Sequence, residues 1–312
     1  MSEEKPKLTI GLAVYNGEEF IEKRIQNIFD QTFQNFELII SDNASTDKTS
    51  EICMEFVKKN KNIRYFRQDK NIGGILNYTF VLNKTETDYF VFATADDKWD
   101  KDFLLKNIRV LEEDNSIVGS IGKIEWFGEK IDEERKSKHK DTISNKFYNK
   151  LRSRYGRYGS FTIIGETYED RALIYLRKLI TRDPSNILYS VFRTNSLRKN
   201  IVPKDFVKEF YSSFWNNACL SVLEYGNIHC SDDVQIYYYA GGSGAGVSPV
   251  TQYKKKQITL MQCIFPWGTQ ISWCIHKFGL KFFFRNFIVF LKLFLQGEIT
   301  FVYSICRYLQ NK

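Results

Sequence analysis

Phe36-Glu-Leu-Ile-Ile-Ser-Asp-Asn-Ala-Ser-Thr-Asp-Lys-Thr49 begins as an apolar run, passes through a cluster of Ser, Asp and Asn, and ends where a helical pattern starts. A short apolar run closed by turn formers reads as a buried strand feeding a helix, here over about 48–60. The unit also occurs upstream. Leu8-Thr-Ile-Gly-Leu-Ala-Val14 reads as a strand, and between Glu18 and Asp30 the residues Phe20, Ile21, Ile25, Ile28 and Phe29 share one helical face. Downstream, Ile63-Arg-Tyr-Phe66 and Asp88-Tyr-Phe-Val-Phe-Ala93 read as two more strands, the second followed by a helix over 101–113. Strand and helix in alternation predict an α/β fold, a mostly parallel sheet covered by helices on both faces.

In such a sheet ligands bind beyond the carboxyl ends of the strands. Those ends are polar each time: Tyr15-Asn16, Ser41-Asp42-Asn43, Gln68-Asp69 and Asp96-Asp97. Each group alone also reads as a set of turn formers or helix caps, Asp47 before helix 48–60 among them. Four groups on one sheet edge, the last with adjacent acids, point instead to a site. Neighbouring carboxylates repel, and a divalent cation relieves them; oxygen ligands favour Mg²⁺ or Mn²⁺, with substrate phosphates completing the shell. His139, His229 and His276 are scattered, so a soft-metal centre is not expected.

The 312 residues, 43% apolar and 26% charged, exclude a disordered tail and a small disulfide-stapled domain. Cys53, Cys219, Cys230, Cys263, Cys274 and Cys306 form no C-x-x-C pair, so neither disulfides nor zinc are expected. The opening Met1-Ser-Glu-Glu-Lys-Pro-Lys7 has no apolar segment, which predicts a cytoplasmic location. The net charge of +8 is unevenly placed. Residues 251–312 hold nine Lys/Arg and one acid, Glu298, so residues 1–250 are neutral overall. Because the basic segment is also the most apolar, it suggests a membrane surface rather than nucleic acid.

Three regions are expected: 1–125, 126–249 and a basic, Phe-rich helical tail over 250–312. The middle region starts with polar stretches, Glu129-Lys-Ile-Asp-Glu-Glu-Arg-Lys-Ser-Lys-His-Lys140 and Arg152-Ser-Arg-Tyr-Gly-Arg157, read as a surface insertion. A helix at 167–180, a strand near 187–193 and a helix at about 213–225 follow. Gly241-Gly-Ser-Gly-Ala-Gly246 lacks the Gly-Lys-Ser/Thr of a phosphate loop and reads as a lid or linker.

Taken in order, Val14-Tyr-Asn16, Gln31 to Thr49, Asn71-Ile-Gly-Gly-Ile-Leu-Asn77 and Ala95-Asp-Asp-Lys-Trp99 resemble the family 2 glycosyltransferases with the GT-A fold, over roughly residues 6–125. The resemblance implies transfer of a single sugar from a nucleotide-sugar donor to a glycan or lipid-linked acceptor, with inversion. It implies a donor site of Ala13, Tyr15, Asn16, Asp42, Asn43, Asn71, Gly73, Asn77 and Asp96, with Asp96 near the ribose and Asp97 on the metal. Relatives often carry a second aspartate where this chain has Asn43. The resemblance also implies a catalytic base about eleven residues before Gly226, but Ser213-Phe-Trp-Asn-Asn217 contains no acid. Glu209 is therefore the candidate base, with Asp205 upstream and the pair Asp232-Asp233 downstream as other carboxylates. The base is also what separates an enzyme from a non-catalytic GT-A scaffold. The Gln-x-x-Arg-Trp signature of polysaccharide synthases is absent, so polymerisation is not expected.

On a continuous helix Lys277, Lys281, Arg285 and Lys292 fall within a stripe of about 80°, with Phe residues filling the rest. With Trp267 and Trp273, this predicts peripheral attachment through 258–312 to the inner face of the cell membrane; the opposing reading is a helix packed on the domain with its lysines outward.

Overall fold

The computed structural model describes residues 5–128, 161–180, 184–199, 214–239 and 268–295. Glu209, Asp205, the stretches 129–160 and 241–246, and Trp267 lie outside the described residues.

The expected strand and helix units form. Strand β1 (Leu8–Val14) leads to helix α1 (Ile21–Phe29), β2 (Phe36–Asp42) to α2 (Thr49–Lys59), and β3 (Ile63–Arg67) to α3 (Gly74–Asn83). Then come β4 (Tyr89–Ala93), a two-residue β5 (Lys98–Trp99), α4 (Phe103–Glu113) and β6 (Ile117–Phe127). After 160 the elements are α5 (Tyr168–Leu179), a 3-10 turn (Pro184–Tyr189), β7 (Val191–Arg193), α6 (Thr194–Arg198), α7 (Phe214–Val222), β8 (Asn227–Tyr239), α8 (Gly268–Arg285) and α9 (287–295). The eight strands form one sheet in the order β3-β2-β1-β4-β7-β6-β8-β5. β1 runs parallel to both β2 and β4, β2 to β3 and β6 to β8; β7 is antiparallel to its neighbours.

Both faces of the sheet are buried, which is why its strands read as nearly continuous apolar runs. Leu8, Ile10, Leu12 and Val14 of β1 face one core with α1 and α4, together with Trp99. Phe90 and Phe92 of β4 face the other, with Val81 of α3, Leu176 of α5 and Cys219 of α7. Gly11 lets α3 approach closely: a Cβ there would lie 2.6 Å from the Phe90 ring and 2.9 Å from Val81.

Several elements depart from the sequence reading. Helix α3 was not foreseen, because Gly-Ile-Leu-Asn-Tyr-Thr-Phe-Val-Leu-Asn is apolar nearly all round and shows no helical stripe. The long β6 was missed, and the strand expected near 187–193 is a 3-10 turn followed by three strand residues. Helix α5 sits as expected and is fixed by a capping box, Thr167 accepting from the Asp170 N–H while the Asp170 carboxylate accepts from Thr167.

The tail is not one continuous helix. Gly279 takes φ 81 and ψ 169, conformations open to glycine, and interrupts α8. The expected four-residue cationic stripe therefore breaks after Lys277, which instead reaches Glu224 at 2.9 Å and ties the helix to the domain. Trp273 packs against the core rather than standing free as an anchor. Among the described residues no helix is long and apolar enough to cross a membrane.

Candidate active site at the carboxyl edge of the sheet

Val14 pairs in register with Asp42, Leu12 with Ala93 and Asp42 with Arg67, so the polar strand ends lie side by side. From β1 the chain goes on to β2 on one flank, while the strands after β4 lie on the other, so the strand order switches between β1 and β4, the place where ligands of parallel α/β sheets bind. Tyr15, just beyond β1, is about half exposed.

Two non-glycine residues here have left-handed backbone, Asn16 with φ 49 and Ala44 with φ 59. Such conformations persist where neighbouring contacts over-determine them, typically at functional loops. The contacts are visible. The Asn16 N–H donates to Ser45 Oγ at 2.9 Å, and Asn16 Oδ1 accepts from the Thr46 N–H at 2.9 Å. Asp47, expected as the cap of α2, stands one residue earlier and accepts from the Thr49 N–H at 3.0 Å.

The predicted donor residues divide into two kinds. Asp42 is fully buried: Oδ1 accepts from the Ser45 N–H at 2.8 Å, and Oδ2 from Tyr65 Oη at 2.8 Å and Arg67 Nη1 at 3.1 Å. Both of its oxygens are engaged, which ties the ends of β2 and β3 together. Asn77 is equally withdrawn, bonded to both Ser41 Oγ and the Ser41 carbonyl. Asn43 clasps the entry to α3, donating to Asn71 Oδ1 at 3.0 Å and accepting from the Ile72 N–H at 2.8 Å; Asn71 Oδ1 also accepts from the Gly73 N–H. Gly73 itself has φ 86 and open space where a side chain would project. Ala13, Tyr15, Asn16 and Asp96 remain partly exposed on the same edge.

Asp96 and Asp97 follow β4. Asp97 is 3% exposed; its Oδ1 accepts from the Tyr239 N–H at 2.9 Å and its Oδ2 from Thr94 Oγ1. Burial and then the charge of Asp96 push the Asp97 carboxyl up to about 6, and burial also raises Asp96. Each Asp97 oxygen still has a second lone pair to offer a cation.

The sequence reading missed the positive charge behind this pair. Arg24 of α1 is fully buried, with its guanidinium 4.0 Å over the Trp99 ring, Nε donating to the Thr94 carbonyl at 2.9 Å and Nη1 to Asn27 Oδ1 at 2.9 Å. Burial lowers it to about 10 against the pull of Asp97 and Asp96, so it stays charged at neutral pH. The available signal was an arginine in register with the apolar face of Ile21, Ile25 and Ile28.

Tyr78, Tyr189 and Tyr238 surround the acids. Burial and then the charges of Asp96 and Asp97 raise the Tyr78 hydroxyl; burial, Tyr238 and Asp97 raise that of Tyr189. The Tyr189 and Tyr238 rings meet edge to face at 6.0 Å. Tyr78 and Tyr189 remain neutral phenols, whose hydroxyls can donate hydrogen bonds.

The downstream carboxylates are elsewhere. Asp232 pairs with Lys123 at 2.8 Å and Asp233 with Lys106 at 2.6 Å, on exposed surface well before the Tyr239 end of β8. On α7, where a base was sought, the Asn217 amide is buried with no hydrogen-bond partner among the described residues, and Asn216 accepts from Tyr175 Oη at 3.1 Å. A cavity lined by Ser116, Arg171, Gly226 and Asn227 sits at the opposite, amino end of β6 and β8.

The profile of glycosyl transferase family 2 matches residues 9–167. The chain belongs to glycosyl transferase family 2. Among its family 2 relatives, a Staphylococcus epidermidis teichoic acid poly(glycerol phosphate) polymerase is 40% identical over 93 residues, 30% of this chain and 13% of that one. The chain spans less than half the length of the curated relatives it matches. Its GT-A fold is shared with S. aureus TarS 1-349 in complex with UDP-GlcNAc, at TM-score 0.54 and 20% identity over 80% of this chain and 64% of that one. It is shared too with the mannosyltransferase PcManGT from Pyrobaculum calidifontis in complex with GDP-Man and Mn²⁺, at TM-score 0.51 and 15% identity over 80% and 61%.

Proposed function

We propose that this family 2 chain is a glycosyltransferase moving a single sugar from a nucleotide-sugar donor to an acceptor hydroxyl, with Mg²⁺ or Mn²⁺ and with inversion. The observation that carries the reading is Asp96-Asp97 at the switch point of the sheet, a partly exposed acid beside a buried one, Asp97 raised by burial and then by the charge of Asp96, and Asp96 by burial. That is the chemistry of a half-built cation site. No group of three His, Cys, Asp or Glu gathers around it among the described residues, so Asp97 would be the protein's ligand and substrate oxygens would fill other positions. Such a cation, when bound, neutralises the charge of a departing diphosphate.

The chain's own residues have separable tasks. Arg24 and Tyr239 fix the turn that carries Asp97 through the Thr94 carbonyl and the Asp97 carboxylate. Asn43, Asn71 and Gly73 hold the loop that faces the nucleotide, and the Tyr15 ring offers it an exposed face. Tyr78 and Tyr189 supply neutral phenols close to the acid pair. The UDP-GlcNAc and GDP-Man in the structural neighbours support a nucleotide-sugar donor, and the teichoic acid name of the relative supports a glycan or lipid-linked acceptor at the inner membrane face.

A second reading, a non-catalytic nucleotide-binding scaffold, is favoured by one observation: α7 carries amides where a base is expected. A thermal-shift panel of nucleoside diphosphates and nucleotide sugars, with and without Mn²⁺, tests the donor site. Cation-dependent stabilisation by one nucleotide class, abolished in Asp97→Ala, is the expected result, and at tenfold excess over Kd it amounts to about 1.4 kcal/mol. Undiminished stabilisation in the variant would overturn the metal assignment. Binding with neither transfer nor donor hydrolysis would favour the scaffold.

A further inference from the structure

We propose that residues 280–295 form a docking face for the anionic surface of a phospholipid bilayer, resting on the reading above only in that such a surface would carry a lipid-linked acceptor. Beyond Gly279 the helical ladder continues through Asn286, whose N–H donates to the Phe282 carbonyl at 3.1 Å and whose carbonyl accepts from the Phe290 N–H at 3.4 Å. The run therefore has consistent sides. Phe282, Phe290 and Leu293 are buried in the domain core. The side turned away from them is apolar as well: Phe284 and Ile288 are 68% and 67% exposed, and Leu280, Phe287, Leu291 and Leu295 are exposed beside them. At 100° per residue these six occupy an arc of about 100°.

Seven of the eleven exposed large apolar residues among the described ones fall within these sixteen positions. Isolated exposed apolar side chains are ordinary, whereas a contiguous set marks a contact surface. Charge identifies the occupant. Lys281, Arg285 and Lys292 line one border of the arc along its whole length, and residues 268–295 contain no acid. Pairing this face with a second copy would bring those like charges together, while anionic headgroups would complement them. Cations along one side of a helix, and not at its two ends, fit an axis lying in the plane of the interface.

Flotation of the full chain with vesicles of phosphatidylglycerol in phosphatidylcholine, against phosphatidylcholine alone, tests the proposal. The wild type should float with the anionic vesicles and far less with the neutral ones. Phe284→Ser/Ile288→Ser should lower partitioning at least tenfold, and both substitutions fall on exposed positions that leave the core intact, which a thermal unfolding curve checks. Lys281→Gln/Lys292→Gln should lower it about tenfold on anionic vesicles only, an effect that raised salt reproduces. Failure of the wild type to float, or undiminished flotation of the serine variant, would overturn the proposal. So would a wild-type dimer in sedimentation that the serine variant dissolves, since the occupant would then be a second copy. Nucleotide-sugar stabilisation in vesicle-free buffer should survive in both variants. Its absence from the wild type would count against the donor reading and leave the flotation result standing.

Discussion

Asp97, the proposed cation ligand, is held at a cost to the metal-free fold. In the unfolded chain it titrates near 3.8, and in the metal-free fold burial and Asp96 push it up to about 6. Between those values the native state holds a proton that the unfolded state has released. Its contribution to stability is therefore present below about pH 4 and is lost as the pH rises through 6. Asp97→Asn keeps an acceptor oxygen for the Tyr239 N–H but carries no charge. In EDTA at pH 7.5 this variant should be more stable than the wild type by on the order of 1–3 kcal/mol, with the gap about halved at pH 5 and closed below about pH 4. Thermal unfolding at these pH values measures this, and a gap independent of pH would refute it. The residues on this edge were legible in the sequence as a polar cluster, but their division of labour was not. Asp42 and Asn77 read alike in the sequence as site residues, and the partners that fix them, Tyr65, Arg67 and Ser41, stand 23 to 36 positions away.

At the scale of elements, the side-chain network around Asn107 joins α4, β6 and β8. Asn107 Nδ2 donates to Gln235 Oε1 at 2.6 Å and to the Phe103 carbonyl at 2.7 Å, while Oδ1 accepts from Ser120 Oγ at 2.7 Å. It is 1% exposed, so water cannot replace what is lost. Asn107→Leu should destabilise by about 2–4 kcal/mol through the stranded Gln235 Oε1 and the lost bond to Ser120, read from the urea midpoint. A change within about 0.5 kcal/mol, the ordinary surface range, would show that the network is not holding these elements together. Elements with a clean period were readable from sequence: α1, α2, α4 and α5 each keep one apolar stripe because each covers the sheet with one side. Helix α3 escaped because its apolar residues stand nearly all round it, although only Ile75, Asn77, Val81 and Leu82 are buried, so no stripe marks the face seated at Gly11.

For the whole molecule, the shared sheet matters most. β2 and β4 contribute alternate side chains to the cores on both faces, so neither core persists without the strands that hold the other. Trp99 belongs to one core and Trp273 packs on the other. Urea transitions compared between Trp99→Phe and Trp273→Phe proteins should therefore keep one shape across spectroscopic probes, with midpoints for the two cores coinciding. A separation of more than about 0.5 M would show two independently unfolding units.

The order of strands and helices through the first 113 residues, the polar strand ends and the basic character of the tail followed from sequence alone. They depend on local periodicity, turn chemistry and composition, which a chain carries wherever it goes. The tertiary structure alone decided which polar groups at the strand ends stay partly exposed and which are consumed in bracing them. It also placed Arg24 behind the acid pair and left one side of the tail helix uncovered. Those outcomes depend on burial and on partners far apart in the chain, of which the bond from Tyr239 to Asp97, spanning 142 positions, is the clearest case.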